Sequence, residues 1–181
     1  GVQTCALPIL IIALFPFMGY SQISVTSANG QNAKDLLETH FLGGGIEVRN
    51  VRFNGQNIIN SNQIGFFSNP DTTAPNVALS SGIVMVTGET SDAAAGNSNG
   101  IVSTTSNPPF SGSDKSVPLR LVLDAQGNAA QSMNDVAVLQ FDFVSSGEYV
   151  KFDYVFASEE YPAFVHSSFN DAFGFFISGP Y

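Results

Sequence analysis

Two neighbouring segments, VAVLQFDFV (136–144) and YVKFDYVFA (149–157), place an apolar side chain at every second position. A two-residue period is the mark of a strand with one buried face. Leu139, Phe141 and Phe143 share a face of the first segment, and Val150, Phe152, Tyr154 and Phe156 share a face of the second. The intervening SSGE (145–148) predicts a β-hairpin. Rings of this size bury large apolar areas, so such a ribbon needs a second layer to cover it.

The rest of the chain reads as further short strands with one convincing helix. Within NAKDLLETHFLGGG (32–45), Ala33, Leu36, Leu37, His40 and Phe41 fall on one helical face. Asn29 or Asn32 is the expected N-cap, and Gly43 to Gly45 are expected to stop the helix. His40, with no second His or Cys nearby in sequence, reads as a packed or rim side chain rather than a ligand. IEVRNVRFNG (46–55) alternates with a phase change near Asn50, as a bulged strand would. QIGFFS (63–68), SGIVMVTG (81–88), VPLRLVLDAQGN (117–128) and DAFGFFIS (171–178) are predicted to hold strands, the second of them buried. NPDTTAPN (69–76) and the Gly/Ser/Asn/Pro-rich span 89–116 read as loops. No internal repeat is visible. The fold class predicted is mainly β, an antiparallel β-sandwich or jelly-roll-like domain with one short N-terminal helix.

Charge narrows the partners. Only 12% of residues are charged, with six Lys+Arg against fifteen Asp+Glu and a net charge of -9. Nucleic acid needs a basic footprint and is excluded as a partner. Hard divalent cations, which take carboxylate and carbonyl oxygens, remain compatible. The single cysteine, Cys5, supports neither a disulfide framework nor a thiolate metal site.

Both ends carry expectations of their own. GVQTCALPI (1–9) resembles the translation of a sequencing-adapter sequence and is set aside from fold reasoning. LIIALFPFMGY (10–20) reads as the apolar core of a signal peptide, the remnant spanning 10–21. It falls short of the ~20 apolar residues needed to span a bilayer. Gly19 and Ser21 suit cleavage before Gln22, so 22–181 is expected to be a single exported β-rich domain with no transmembrane segment. The sequence closes on Gly179-Pro180-Tyr181 directly after an apolar segment, which predicts a domain truncated at its C-terminus.

The chemistry is concentrated in YVFASEEYPAFVHSSFNDAFGFFISG (154–179), where Ser158, Glu159, Glu160, Asn170 and Asp171 lie between two aromatic-rich segments. Calcium takes six to eight oxygens from carboxylates, amides, hydroxyls and backbone carbonyls. Glu159, Glu160, Asn170 and Asp171 are the candidate ligands, with Ser158, Asp92 and Asp135 as further oxygen donors, although the spacing matches no EF-hand. Turn chemistry is the competing account, because Asp, Asn and Ser side chains also accept bonds from loop N–H groups. A catalytic carboxylate pair is disfavoured, since adjacent residues such as Glu159 and Glu160 point apart in an extended chain. His166 beside Ser167 makes no triad by adjacency, and no nucleophile elbow is present.

FDYVFASEEYPAFVHSSFNDAFGFFISGP resembles the signature of the choice-of-anchor L domain family. SANGQNAKDLLETHFLGGGIEVRNVRFNG, SGIVMVTG and NDVAVLQFDF resemble that family's opening helix and strands, so the likeness spans roughly residues 24–181. Gln140 departs from the pattern where Glu is common, and 106–120 lacks an acidic character seen in many members. The resemblance implies a bacterial secreted or cell-surface protein, of a family for which no enzymatic activity is established, with an anchoring signal in sequence beyond Tyr181; the protein is read as non-enzymatic. The function expected is adhesive or structural, with calcium as the one cofactor and an extracellular protein or glycan as partner. The alternative is a carbohydrate-binding or accessory module of a secreted enzyme, with Tyr149, Tyr161 and Phe164 as the aromatics for a sugar.

Overall fold

The computed structural model describes residues 23–69, 78–94, 117–125, 135–157 and 172–179. The elements in order are β1 (Ser24–Ser27), α1 (Ala33–His40), β2 (Ile46–Phe53), β3 (Ile64–Ser68), β4 (Ser81–Met85), α2 (Thr90–Ala94), α3 (Val117–Ala125) and β5 (Leu139–Ser145). They form two antiparallel sheets, one ordered β1-β3-β4 and one pairing β2 with β5. Among the described residues neither sheet closes into a barrel. The fold is mainly β, as the alternation predicts.

Helix α1 follows from its apolar spacing. Ala33, Leu36 and Leu37 are buried, while Lys34 and Glu38 pair across one exposed turn. Asn32, not Asn29, is the cap: its Oδ1 accepts from the Lys34 N–H at 2.9 Å. The other end differs from expectation. The Phe41 and Leu42 N–H groups both close on the Leu37 carbonyl, so the helix stops before the glycines. Of the three, Gly45 takes positive φ, and it serves the turn into β2. The buried face of α1 packs with Val48, Val51, Phe53, Ile59 and Ile64 in one core, lined further by Phe66, Ile83, Leu139, Phe141 and Phe143. Both sheets therefore contribute to the layer that α1 covers.

The phase change in β2 is a bulge. Val48 is buried before it, and Val51 and Phe53 after it, with Asn50 at φ 51° and a register shift between Arg49 and Arg52. One extra residue lets the strand keep its apolar set inward across the break. In β3, Gly65 has its own reason: a Cβ there would strike the Thr26 carbonyl oxygen of paired strand β1.

Four expectations are revised. Val117–Ala125 is a helix, not a strand. Leu and Arg favour helix, and Pro118 sits in the first turn, where a missing N–H costs nothing. β4 is a half-buried edge strand rather than a buried one. A short helix, α2, opens the span read as loop from residue 89. The hairpin of 136–144 with 149–157 does not form. β5 pairs with β2 instead, because Leu139, Phe141 and Phe143 find the α1 core on that side, and 149–157 carry no assigned strand. Residues 172–179 carry none either. Strand β1 is a feature that four residues were too few to announce.

A buried amide pair ties these pieces together. Asn54 and Gln63 are each 1% exposed. Asn54 and Gly55 form a two-residue turn at φ 48° and 79°, with Phe53 and Gln56 exchanging both backbone bonds. Asn54 Oδ1 accepts from the Val138 N–H at 2.9 Å, and its Nδ2 donates to Gln63 Oε1 at 3.3 Å. Gln63 Nε2 donates to the Asp135 and Thr87 carbonyls at 3.0 and 3.3 Å.

Two predictions follow from local chemistry. Asn54→Ala orphans the Val138 N–H, leaves Gln63 Oε1 with the Ser61 hydroxyl as its remaining donor, and puts a Cβ-bearing residue other than Asn at positive φ. It should lose at least ~3 kcal/mol in urea unfolding. Asn54→Gly, which relieves only the backbone, should recover about 1 kcal/mol of that. Asn32→Ala should cost about 1 kcal/mol, whereas Asn29→Ala should stay within ~0.5 kcal/mol. Equal losses at the two positions would contradict the capping assignment.

Candidate functional site

Residues 149–157 and 172–179 flank the acidic span and run beside each other. Phe152 stacks on Phe175 with centroids 4.3 Å apart, and Tyr154 on Phe173 at 5.6 Å. As the first position rises by two, its partner falls by two, so the segments are antiparallel. Phe156 also meets Phe173 at 6.1 Å. The shared face expected for Phe152, Tyr154 and Phe156 is therefore present, but its partner is 172–179 rather than β5. The stems of the acidic span thus come together just before Ser158 and just after Asp171.

Ser158, Glu159, Glu160, Asn170 and Asp171 lie outside the described residues, as do Tyr161, Phe164, His166 and Ser167. Asp92 is on α2, with its side chain likewise outside what is described. Asp135 is described: at φ 54°, it presents its backbone carbonyl to Gln63. Its place is beside the buried amide pair. Among the described residues no group of three or more His, Cys, Asp or Glu side chains could hold a metal ion. His40 is part-buried and stacks flat on Phe66, with centroids 3.9 Å apart, which fits the packed reading of that residue.

The remaining polar groups of the two sheets carry little chemistry. On the outward face of β2 and β5, Arg49 bonds Glu47 at 2.8 Å, and Asn50 Nδ2 donates to Asp142 Oδ2 at 2.6 Å. These are exposed pairs of small energetic weight. A shallow hollow lined by Gly45, Ile46, Glu47, Val144, Ser145 and Ser146 lies where the chain leaves β5. Its one ionisable group, Glu47, is already engaged by Arg49. Sequence reasoning passed over the Asn54–Gln63 pair, although Asn-Gly between two apolar stretches is the strongest short turn signal there is.

Among the described residues no helix is long and apolar enough to cross a membrane. No curated protein and no solved structure matches the chain. A family model does: the Choice-of-anchor L domain matches residues 24–181. That span takes in α1, both sheets, the aromatic stems and the acidic segment between them, and the chain belongs to the Choice-of-anchor L domain family.

Proposed function

We propose that the protein is a non-enzymatic domain of a bacterial surface-anchored or extracellular protein, serving adhesion or surface architecture, with a calcium ion ordering the 158–171 span. Family membership supports the surface assignment. The observation that carries the calcium reading is the antiparallel meeting of the two stems. In sequence, Glu159 and Glu160 follow one stem within three residues, and Asn170 and Asp171 precede the other within two. Three carboxylates, one amide oxygen and the Ser158 hydroxyl are hard donors of the kind calcium selects, and backbone carbonyls and water would complete the shell. Gathered at one site, three negative charges would repel one another unless a cation or loop N–H groups offset them.

The non-enzymatic reading rests on what the sequence supplies for chemistry. The span holds carboxylates on adjacent residues and a His-Ser dipeptide, neither of which makes an acid–base or nucleophile pair by adjacency. Export is supported by the apolar segment 10–20 and by the low charge of a surface built from Ser, Asn, Thr and Gly.

A thermal melt in EDTA and in millimolar calcium tests the metal. At a calcium concentration ~100 times Kd, the ion should add about 2.7 kcal/mol. For a chain of this size that raises Tm by about 5–10 °C. Glu160→Gln and Asp171→Asn should each remove most of the rise and leave the EDTA melt unchanged. Identical melts in both buffers would leave the acidic residues as turn chemistry.

A further inference from the structure

Among the described residues, one face of the stems is left open to solvent. Val150, Phe152, Tyr154 and Phe156 alternate along one segment, and Phe173, Phe175 and Ile177 along the other. The ring pairs fix their register, which also sets Val150 opposite Ile177. These seven side chains form a single layer and are 36–70% exposed. The opposite face is different. It carries the Lys151–Asp153 ion pair, and Leu119 of α3 approaches it so closely that a Cβ on Gly174 would lie 3.2 Å from Leu119 Cδ1. That face mixes the ion pair with exposed Tyr149, Val155 and Phe176, whereas the seven-residue face holds no Asp, Glu, Lys, Arg or His.

We propose that this aromatic face is a self-association surface, covered by the same face of a second copy of the chain. Area is the first argument. Five half-exposed aromatic rings and two aliphatic side chains offer roughly 700 Å² of apolar surface. That is close to the ~800 Å² per partner of a standard stable interface and above what a monomer usually leaves open in one patch. Charge is the second. A chain of net charge -9 repels its own copies, but none of the seven residues is Asp, Glu, His, Lys or Arg. A twofold contact through this face therefore buries no like charges. Ring geometry is the third. The near-parallel Phe152–Phe175 and Tyr154–Phe173 pairs turn ring faces towards each other. A sugar needs an open ring face to stack on; ring edges and aliphatic side chains instead match a second apolar layer, as in a sandwich core.

Sedimentation equilibrium on the full chain, over a wide concentration range, provides the test. A monomer–dimer equilibrium is expected. It should tighten as salt rises, because screening weakens the repulsion between acidic copies. Tyr154→Lys and Ile177→Lys should each weaken dimerisation at least about tenfold. Leu121→Lys, at an exposed apolar position on α3 outside the face, should leave it unchanged. Far-UV circular dichroism checks that each variant folds, and Ile177→Lys, at the most exposed of the seven positions, carries the test if Tyr154→Lys does not fold. A monomer at every concentration overturns the proposal. So does association that ignores both face substitutions, that Leu121→Lys abolishes equally, or that grows into open-ended polymers rather than closing at two copies.

Discussion

The two sheets meet through a pair of buried amides, and the fold depends on them. Asn54 and Gln63 are almost fully removed from water, so every polar atom they carry must find a partner inside. They do so across four chain segments: the end of β2, the start of β3, the Thr87 carbonyl after β4, and the 135–138 approach to β5. A hydrogen bond of this kind adds only about 1 kcal/mol when made, but leaving its buried partner unmade costs ~1–3 kcal/mol. The pair therefore acts as a selector. Apolar contacts around α1 favour many arrangements of the strands, and only those that satisfy both amides avoid the penalty. The left-handed backbone at Asn54 and the Asn54-Gly55 turn are the local conditions that let the Asn54 side chain lie where Val138 and Gln63 can both reach it.

What the sequence made legible was periodic structure within one segment. Helix α1 declared itself through Ala33, Leu36 and Leu37, and β2 through an alternation whose break at Asn50 is the observed bulge. Pairing between segments was far less legible. The alternation at 136–144 and 149–157 says that each has an apolar face but not which partner covers it. Sequence proximity suggested a hairpin; burial against α1 decided for β2. Val117–Ala125 failed for another reason. Val117, Leu119, Leu121 and Leu123 alternate with Pro118, Arg120 and Asp124 as in a strand, so the period misled, and propensity with Pro118 in the first turn was the better guide. Asn54-Gly55 marks a turn, but the burial of the Asn54 and Gln63 amides was illegible, because Asn and Gln are mostly surface residues and nothing local marks the buried ones.

The candidate site divides along the same line. Its stems were readable from alternating aromatics, and their rings do share one layer. Its acidic residues were readable only as a composition. Oxygen ligands for calcium have no fixed spacing outside a few loops, and the same Asp, Asn and Ser side chains serve ordinary turns. The stems meet at the two ends of that span, a fact of the fold that composition alone does not carry.

Core and stems belong to different stability regimes. Around α1 the main core side chains are 0–1% exposed, and β2 and β5 are joined by a register that spans the bulge. The chain leaves this core at Ser146, whose N–H and hydroxyl both donate to the Gly45 carbonyl. Beyond that point the aromatic stems keep half their surface in water. Regions with so little burial open locally at free energies well below the global value. Two supports are proposed for the stems: charge neutralisation at the acidic span, and an apolar layer on the aromatic face. The two differ in physical character. Attraction between a cation and carboxylates weakens as salt screens it, whereas burial of apolar area between two acidic copies strengthens under the same change. A salt series on the stems, read by local amide protection, therefore separates an electrostatic support from a hydrophobic one without any substitution.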